Sequence, residues 1–386
     1  MPWKESCPMD ERMKFISRYL DGDKVTDLCH EFEISRKTAY KFIERFKTYG
    51  LYGLDDAKRG PRSVPHKTSD TIESLILKLR EMRPTWGPKK LKARLEKLYP
   101  GVKIPATSTI GEILKRNGVE LGIRKQRRKM LIPYTPLTNS LTVNDVWCID
   151  FKGQFKLRNG NYCYPLTVSD HKSRFLISCE ALPSTKKHGV RDTFAGIFSE
   201  FGLPKVILSD NGSPFASNGI GRLSQLSVWF LRLGINPEQI EPGHPEQNGR
   251  HERMHRTLKK EATRPAGKNL LQQQEKFDNF INIYNTERPH EALDMKTPID
   301  FYKKSGRIFA SNLDEINYDL CDEVRTVDAG GKIKVPGDWK HNCFIGRALY
   351  GEKLGLTRDE KNGWHVKFMT KALGKMIKLG GCYKLT

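Results

Sequence analysis

Three carboxylates, far apart in the chain, sit where a carboxylate is costly or conspicuous. Asp150 ends the apolar run Trp147-Cys148-Ile149 and is followed by Phe151. A charge inside such a strand needs compensation, and a cation is the usual partner. Asp210 comes after Val206-Ile207-Leu208 and opens Asp210-Asn211-Gly212. In α/β sheets the ligand crevice lies beyond the carboxyl ends of the strands. Glu252 follows Pro245 on a helix and shares a face with Arg256 and Lys259, four and seven residues on. That row suits a metal at one end and phosphates along the rest. Phosphodiester chemistry needs an activated oxygen nucleophile and a stabilised leaving oxygen. Two Mg²⁺ ions about 4 Å apart supply both, one per oxygen. Mg²⁺ takes hard oxygen ligands and keeps waters and substrate phosphates in its shell. Asp150, Asp210 and Glu252 are therefore the candidate catalytic and metal-binding residues, with two Mg²⁺ (or Mn²⁺) ions as cofactor. Singly each has a plainer reading: Asp210-Asn211-Gly212 is a common turn, and Glu252 can pair with Arg256. Only the three in order carry the chemistry.

The surrounding pattern predicts how these residues are held. Strands are expected at 146–151, 162–168 and 175–179. A helix over 185–201 carries Val190, Phe194, Ile197 and Phe198 on one side. A short apolar strand at Val206–Leu208 reads as central and parallel. A helix over 219–233, a brief strand near Gln239-Ile240 and a long helix from about Gln247 follow. The order β-β-β-α-β-α-β-α is that of a ribonuclease-H-like α/β fold. Helices continue to about Lys304. The last 80 or so residues alternate like strands between Gly turns, as in Trp364–Phe368, and predict a small β-barrel.

The front of the chain is helical. Met13, Ile16 and Leu20 make one stripe, and Val25, Leu28 and Phe32 another. After a tight connection, Ser35 is placed to cap a helix with Ala39, Phe42, Ile43 and Phe46 inward. Its outer face offers Arg36, Lys37, Thr38, Tyr40 and Lys41, the layout of a helix-turn-helix that reads DNA. A second such unit spans 66–122, with Ile72, Leu75, Ile76 and Leu79, then Leu91, Leu95 and Leu98, then Ile110, Ile113 and Leu114. Between it and the core, Arg124, Lys125, Arg127, Arg128 and Lys129 form a basic tether suited to a phosphate backbone. The expected division is thus multidomain: all-α helix-turn-helix units at 1–62 and 66–122, a basic linker at 123–142, an α/β core at 143–264, a helical extension at 265–306, and a small SH3-like β-barrel at 307–386.

Composition agrees with a polyanion partner. The 386 residues hold 67 Lys+Arg against 45 Asp+Glu, a net charge of +22. Neutralising phosphates releases counterions, which favours binding to double-stranded DNA. No stretch approaches the ~20 apolar residues of a membrane span, and Met1–Asp10 has no apolar signal core. A soluble protein that stays in the compartment where it is made, with no membrane partner, is expected. The eight Cys show no CxxC pair or zinc spacing, and read as small buried apolar residues in a reducing compartment.

The runs VWCIDF around Asp150, SDNGSPF at 209–215, HPEQNGRHERMHRTLKK at 244–260 and YNTERPHEAL at 284–293 resemble the catalytic core of integrases and integrase-type transposases of bacterial insertion sequences. The likeness covers about 143–304 well and the flanks more loosely. It implies that Asp150, Asp210 and Glu252 are the metal ligands. Glu246 is the rival for the third place, but the family's Glu stands three residues after the Asn-Gly turn, which selects Glu252. Arg256 and Lys259 would touch DNA, and Asn211 and Asn248 would shape the site. The Asp210–Glu252 interval, 252 − 210 = 42, is longer than usual in the family. Extra length is expected around Ser217–Gly221 or Asn236–Gln239. The absence of a zinc module before the core favours an insertion-sequence transposase over a retroviral enzyme. The implied reaction frees a 3′-hydroxyl at each element end, then uses it to attack target DNA. Terminal inverted repeats and target would both be bound, and holding two ends at once implies a homo-oligomer. Two other readings stay open: a DNA-binding regulator with a lapsed core, and a nuclease acting on RNA–DNA hybrids.

Overall fold

The computed structural model describes residues 7–56, 67–120, 138–217, 219–241, 244–310, 312–359 and 363–386. The basic tether with Arg124, Lys125, Arg127, Arg128 and Lys129 lies outside them. The chain divides into two compact units, Met1–Thr68 and Ser69–Thr386.

The first unit holds α1 (Pro8–Leu20), α2 (Val25–Glu31) and α3 (Arg36–Tyr49). Its core is Phe15, Ile16, Leu28, Ala39, Ile43 and Leu54, with Phe42 and Phe46 packed at the edge. The inward face of α3 is the expected one. That of α1 is not, since Met13 and Leu20 are exposed and Phe15 takes the inner place. The three-and-four spacing of Met13, Ile16 and Leu20 named a stripe, but adjacent Phe15 shifts the buried arc by one residue. The Ser35 hydroxyl accepts from the Thr38 amide at 3.2 Å and caps α3. Arg36, Lys37, Tyr40 and Lys41 are all exposed on it. Ser35→Ala is expected to cost about 1 kcal/mol, which hydrogen exchange would read as roughly fivefold faster opening of the α3 amides.

The second unit begins with α4 (Asp70–Met82), α5 (Pro88–Leu98) and α6 (Thr107–Arg116). Ile76, Leu79, Leu91, Leu95, Ile110, Ile113 and Leu114 form its core around fully buried Trp86. Leu98, expected inside, is exposed. It is the last residue of α5.

The core sheet contains β1 (Val146–Phe151), β2 (Phe155–Lys156), β3 (Tyr162–Asp170), β4 (Leu176–Leu182), β5 (Val206–Ser209) and β6 (Asn236–Gln239). The strand order is β2-β3-β1-β5-β6, with β4 on β3. β1 is antiparallel to β3 and parallel to β5, and β5 is parallel to β6. This is the ribonuclease-H-like arrangement, with β2 as a short addition. α7 (Lys187–Phe201) and α8 (Gln225–Arg232) cover one face. Val190, Phe194, Ile197 and Phe198 pack there with Trp147, Trp229 and Phe230. α8 starts six residues later than expected. Ser224 caps it, and 3-10 and irregular backbone occupy the stretch before it.

α9 (Gly249–Glu261) and α10 (Leu270–Asn282) cover the other face through Met254, Leu258, Phe277 and Phe280. Among the described residues, short turns of π- and 3-10 helix, rather than further α-helices, run from α10 to Asp300. Seven strands follow: β7 (Glu323–Thr326), β8 (Lys332–Val335), β9 (Asp338–Phe344), β10 (Lys353–Arg358), β11 (Trp364–Phe368), β12 (Lys371–Leu379) and β13 (Cys382–Leu385). Their order is β7-β10-β11-β12-β13-β9-β8. The edges β7 and β8 meet again, so the sheet is barrel-like and nearly closed. α8 is apolar on two sides, and its Val228 and Leu231 enter the barrel's core. Five Cys are buried as expected, but Cys7 and Cys382 are exposed and Cys321 is half-buried.

Candidate active site

Asp150 and Asp210 reach the same level of the sheet through register. Val146, Trp147 and Cys148 lie beside Val206, Ile207 and Leu208, an offset of 60 that sets Asp150 level with Asp210. Alternation along β1 sends Trp147 and Ile149 into the aromatic core. Cys148 and Asp150 therefore face α9. Burial, and next the charge of Asp210, push the Asp150 carboxyl up to about 7, and Glu252 adds a smaller push. Asp210 accepts from the Gly212 amide at 3.0 Å. Among the described residues neither carboxylate has a Lys or Arg ion pair.

Glu252 is exposed on the first turn of α9. No three His, Cys, Asp or Glu side chains among the described residues already stand close enough together to hold a metal. Two of the three expected ligands are thus gathered, and the third stands near but apart. Two adjacent carboxylates, of which Asp150 has its proton affinity raised by burial and by the charge of Asp210, suit a divalent cation. That donor set is hard oxygen.

Asn211 Nδ2 donates to the Ile240 carbonyl at 2.8 Å, and its Oδ1 accepts from Arg222 at 3.3 Å. It ties the Asp210 turn to the end of β6. Asn248 is buried just before α9, and its Oδ1 has no partner among the described residues. Arg256 and Lys259 are exposed on α9, on the same side as Glu252. Beside the Asp210 turn a cleft of about 610 Å³ opens between Ser213, Pro214 and Ser224 of the core and Phe344 and Arg347 of the barrel.

The inner face of α9 holds residues that reading Glu252, Arg256 and Lys259 alone passed over. His251 and His255 are buried against β3 and bind Thr167 and Ser169. Burial pushes them down to about 3 and about 2, so both rings are neutral. Their spacing of four residues was the available signal. Arg174, in the β3–β4 turn, is held down to about 10 by burial and then by Arg250. Arg253 adds to the same crowd of charge. Among the described residues none of these three arginines has an acidic partner, an arrangement that suits a phosphate.

Two integrase core domain models match this chain, over residues 141–245 and 233–298. A helix-turn-helix domain model matches 11–62, and a homeodomain-like one 38–114. An insertion element IS407 protein of Burkholderia multivorans is 24% identical over 260 residues, 66% of this chain and 88% of that one. The transposase for insertion sequence element IS904 of Lactococcus lactis is 30% identical over 100 residues, 25% of this chain and 37% of its own length. The chain thus carries an integrase core domain and is similar to insertion-sequence proteins. The integrase-core protein also matches the Pol polyprotein of feline endogenous virus ECE1, 35% identical over 119 residues, 31% of this chain but 11% of that one. Among solved structures, the HTLV-2 integrase catalytic core domain in complex with magnesium is 17% identical, with a TM-score of 0.34 over 42% of this chain and 99% of the other. The helical segment α4–α6 is bound to the core: Arg83 pairs with Glu287 at 2.7 Å, and Lys89 with Glu291 at 2.7 Å. No helix among the described residues is long and apolar enough to cross a membrane.

Proposed function

We propose that this protein binds the ends of a mobile DNA element, frees their 3′-hydroxyls and joins them to target DNA. The observation that carries this reading is the level pair Asp150 and Asp210 inside an integrase core, with exposed cations on α9 beside it. Asp150, Asp210 and Glu252 would hold two divalent cations, Mg²⁺ or Mn²⁺. When bound, these polarise the scissile phosphate and lower the proton affinity of the attacking oxygen.

The chain's own residues do the rest. Asn211 fixes the Asp210 turn, so the second carboxylate is aimed before substrate arrives. Glu252 moves in from its exposed position as phosphate settles on Arg256 and Lys259. Arg174, Arg250 and Arg253 hold a more distant stretch of backbone. Arg36, Lys37, Tyr40 and Lys41 on α3 read the terminal repeats, and the tether with Arg124, Lys125, Arg127 and Arg128 follows the backbone between. Two ends must be held together for joining, which calls for a homo-oligomer on DNA.

The test is joining of a pre-cut end duplex to a plasmid in Mg²⁺. Wild type joins, and Asp210→Asn loses about 10³-fold, or ~4 kcal/mol. Equal joining by both removes this reading.

A further inference from the structure

Beneath Asp150 lies a buried hydrogen-bond network whose protons can be placed by counting. Thr167 faces Asp150 across the β1–β3 ladder. Its hydroxyl oxygen is 3.0 Å from the Asp150 carbonyl oxygen, 2.7 Å from His251 Nε2 and 2.7 Å from His255 Nε2. Ser169 Oγ is 2.8 Å from His251 Nδ1. A carbonyl only accepts, so the single Thr167 proton goes to Asp150. The hydroxyl oxygen is left with two lone pairs and two ring nitrogens, so both imidazoles donate their Nε2–H to it.

A neutral imidazole has one N–H. His251 Nδ1 is then an acceptor, and Ser169 O–H fills it. His255 Nδ1 is also bare, but no hydroxyl serves it. It lies 3.6 Å from Asp150 Oδ2, beyond hydrogen-bond range. His255 Nδ1 and Asp150 Oδ2 thus stand side by side with no hydrogen bond joining them. That pair is compatible with a cation bound to both. Ligands at right angles on a metal with bonds of about 2.1 Å stand about 3 Å apart, so the 3.6 Å pair closes on it with a shift of about 0.6 Å. A metal-bound histidine characteristically donates its other ring N–H to a fixed acceptor, and Thr167 is that acceptor.

We propose that His255 Nδ1 is a nitrogen ligand of the cation held by Asp150, with Thr167, His251 and Ser169 as positioning residues that fix its tautomer. This rests on the reading of Asp150 as a metal ligand. Imidazole is a softer donor than carboxylate and suits transition ions better than Mg²⁺. The site therefore gains more with Mn²⁺ than with Mg²⁺.

The experiment is electron spin echo envelope modulation of Mn²⁺ bound to the full chain, with no DNA and no turnover. Wild type is expected to show ¹⁴N modulation that changes to the ¹⁵N pattern when histidine is ¹⁵N-labelled. His255→Asn and His255→Gln are each expected to lose it and to weaken Mn²⁺ binding about tenfold, with Mg²⁺ binding changed less than threefold. Asp210→Asn should keep the nitrogen signal. Mn²⁺ bound in an Asp150-dependent way without nitrogen modulation overturns the proposal and leaves the metal site standing. Mn²⁺ binding that Asp150→Asn does not change overturns the metal site itself.

Discussion

Asp150→Asn is expected to abolish strand joining and, in the same protein, to raise the melting temperature when metal is absent. The two effects have one cause. Burial and the neighbouring Asp210 push the Asp150 carboxyl up to about 7 from its ordinary 3.8. A raised carboxyl is stabilising only while protonated. Its contribution is complete below about pH 4, where the unfolded chain is protonated too, and is lost as pH rises toward 7. At neutral pH the metal-free fold therefore carries a destabilising charge worth a few kcal/mol, at ~1.4 kcal/mol per pH unit. Asparagine removes it. In chelator, wild type is expected to lose melting temperature relative to Asp150→Asn between pH 5 and pH 8. Saturating Mg²⁺ should restore wild type, by ~2.7 kcal/mol at a hundred times its dissociation constant, and leave the variant unmoved. Parallel curves for the two proteins across this range contradict the account of Asp150.

Arg288→Met is expected to be the most damaging single change away from the active site. Arg288 is 7% exposed and pairs with Glu261 at 2.6 Å. Glu261 also accepts from Thr85, so this pair joins α9, the turn after α10 and the turn between α4 and α5. Removing the arginine leaves a half-buried carboxylate without its cation, at a cost of about 2–3 kcal/mol, below that of a fully buried pair. Adding Glu261→Gln should recover most of that loss, because the stranded charge goes with it. Denaturant melts of the two single variants and the double variant measure this. A double variant no more stable than Arg288→Met contradicts the pairing.

The sequence carried the fold well where a pattern was strong. The order of core strands and helices, the inward face of α7 and the cap at Ser35 all follow from apolar spacing and one capping residue. It carried less where neighbours decide. Met13 and Leu20 matched a helical period, yet Phe15 beside them buries more area and takes the core. Leu98 has the right spacing, but it stands at the very end of α5 and is exposed. Ser224 begins α8, rather than Gly219, because Ser offers a side-chain oxygen to free amides and Gly offers none.

The candidate site was legible as residues but not as an arrangement. Asp150 and Asp210 could be named from apolar runs that end in a carboxylate. Their equal level follows from the β1–β5 register, which no local pattern contains. Glu252 could be placed on its helix, but its exposure depends on how α9 sits on the sheet. His251 and His255 were visible at helical spacing, while their meaning depends on Thr167, 84 and 88 residues away. Arg174 gains its role from Arg250 and Arg253 in the same way, through contacts that only folding creates.

The central claim is that Asp150, Asp210 and Glu252 close on divalent cations when DNA is bound. Anomalous scattering from crystals of the full chain with an element-end duplex and Mn²⁺ reads this directly. The account expects one peak bridged by Asp150 and Asp210 and a second touched by Glu252, each at about 2.1–2.2 Å from carboxylate oxygen. Ordered DNA in the site with no peak at Asp150, or with Glu252 still turned to solvent, contradicts it.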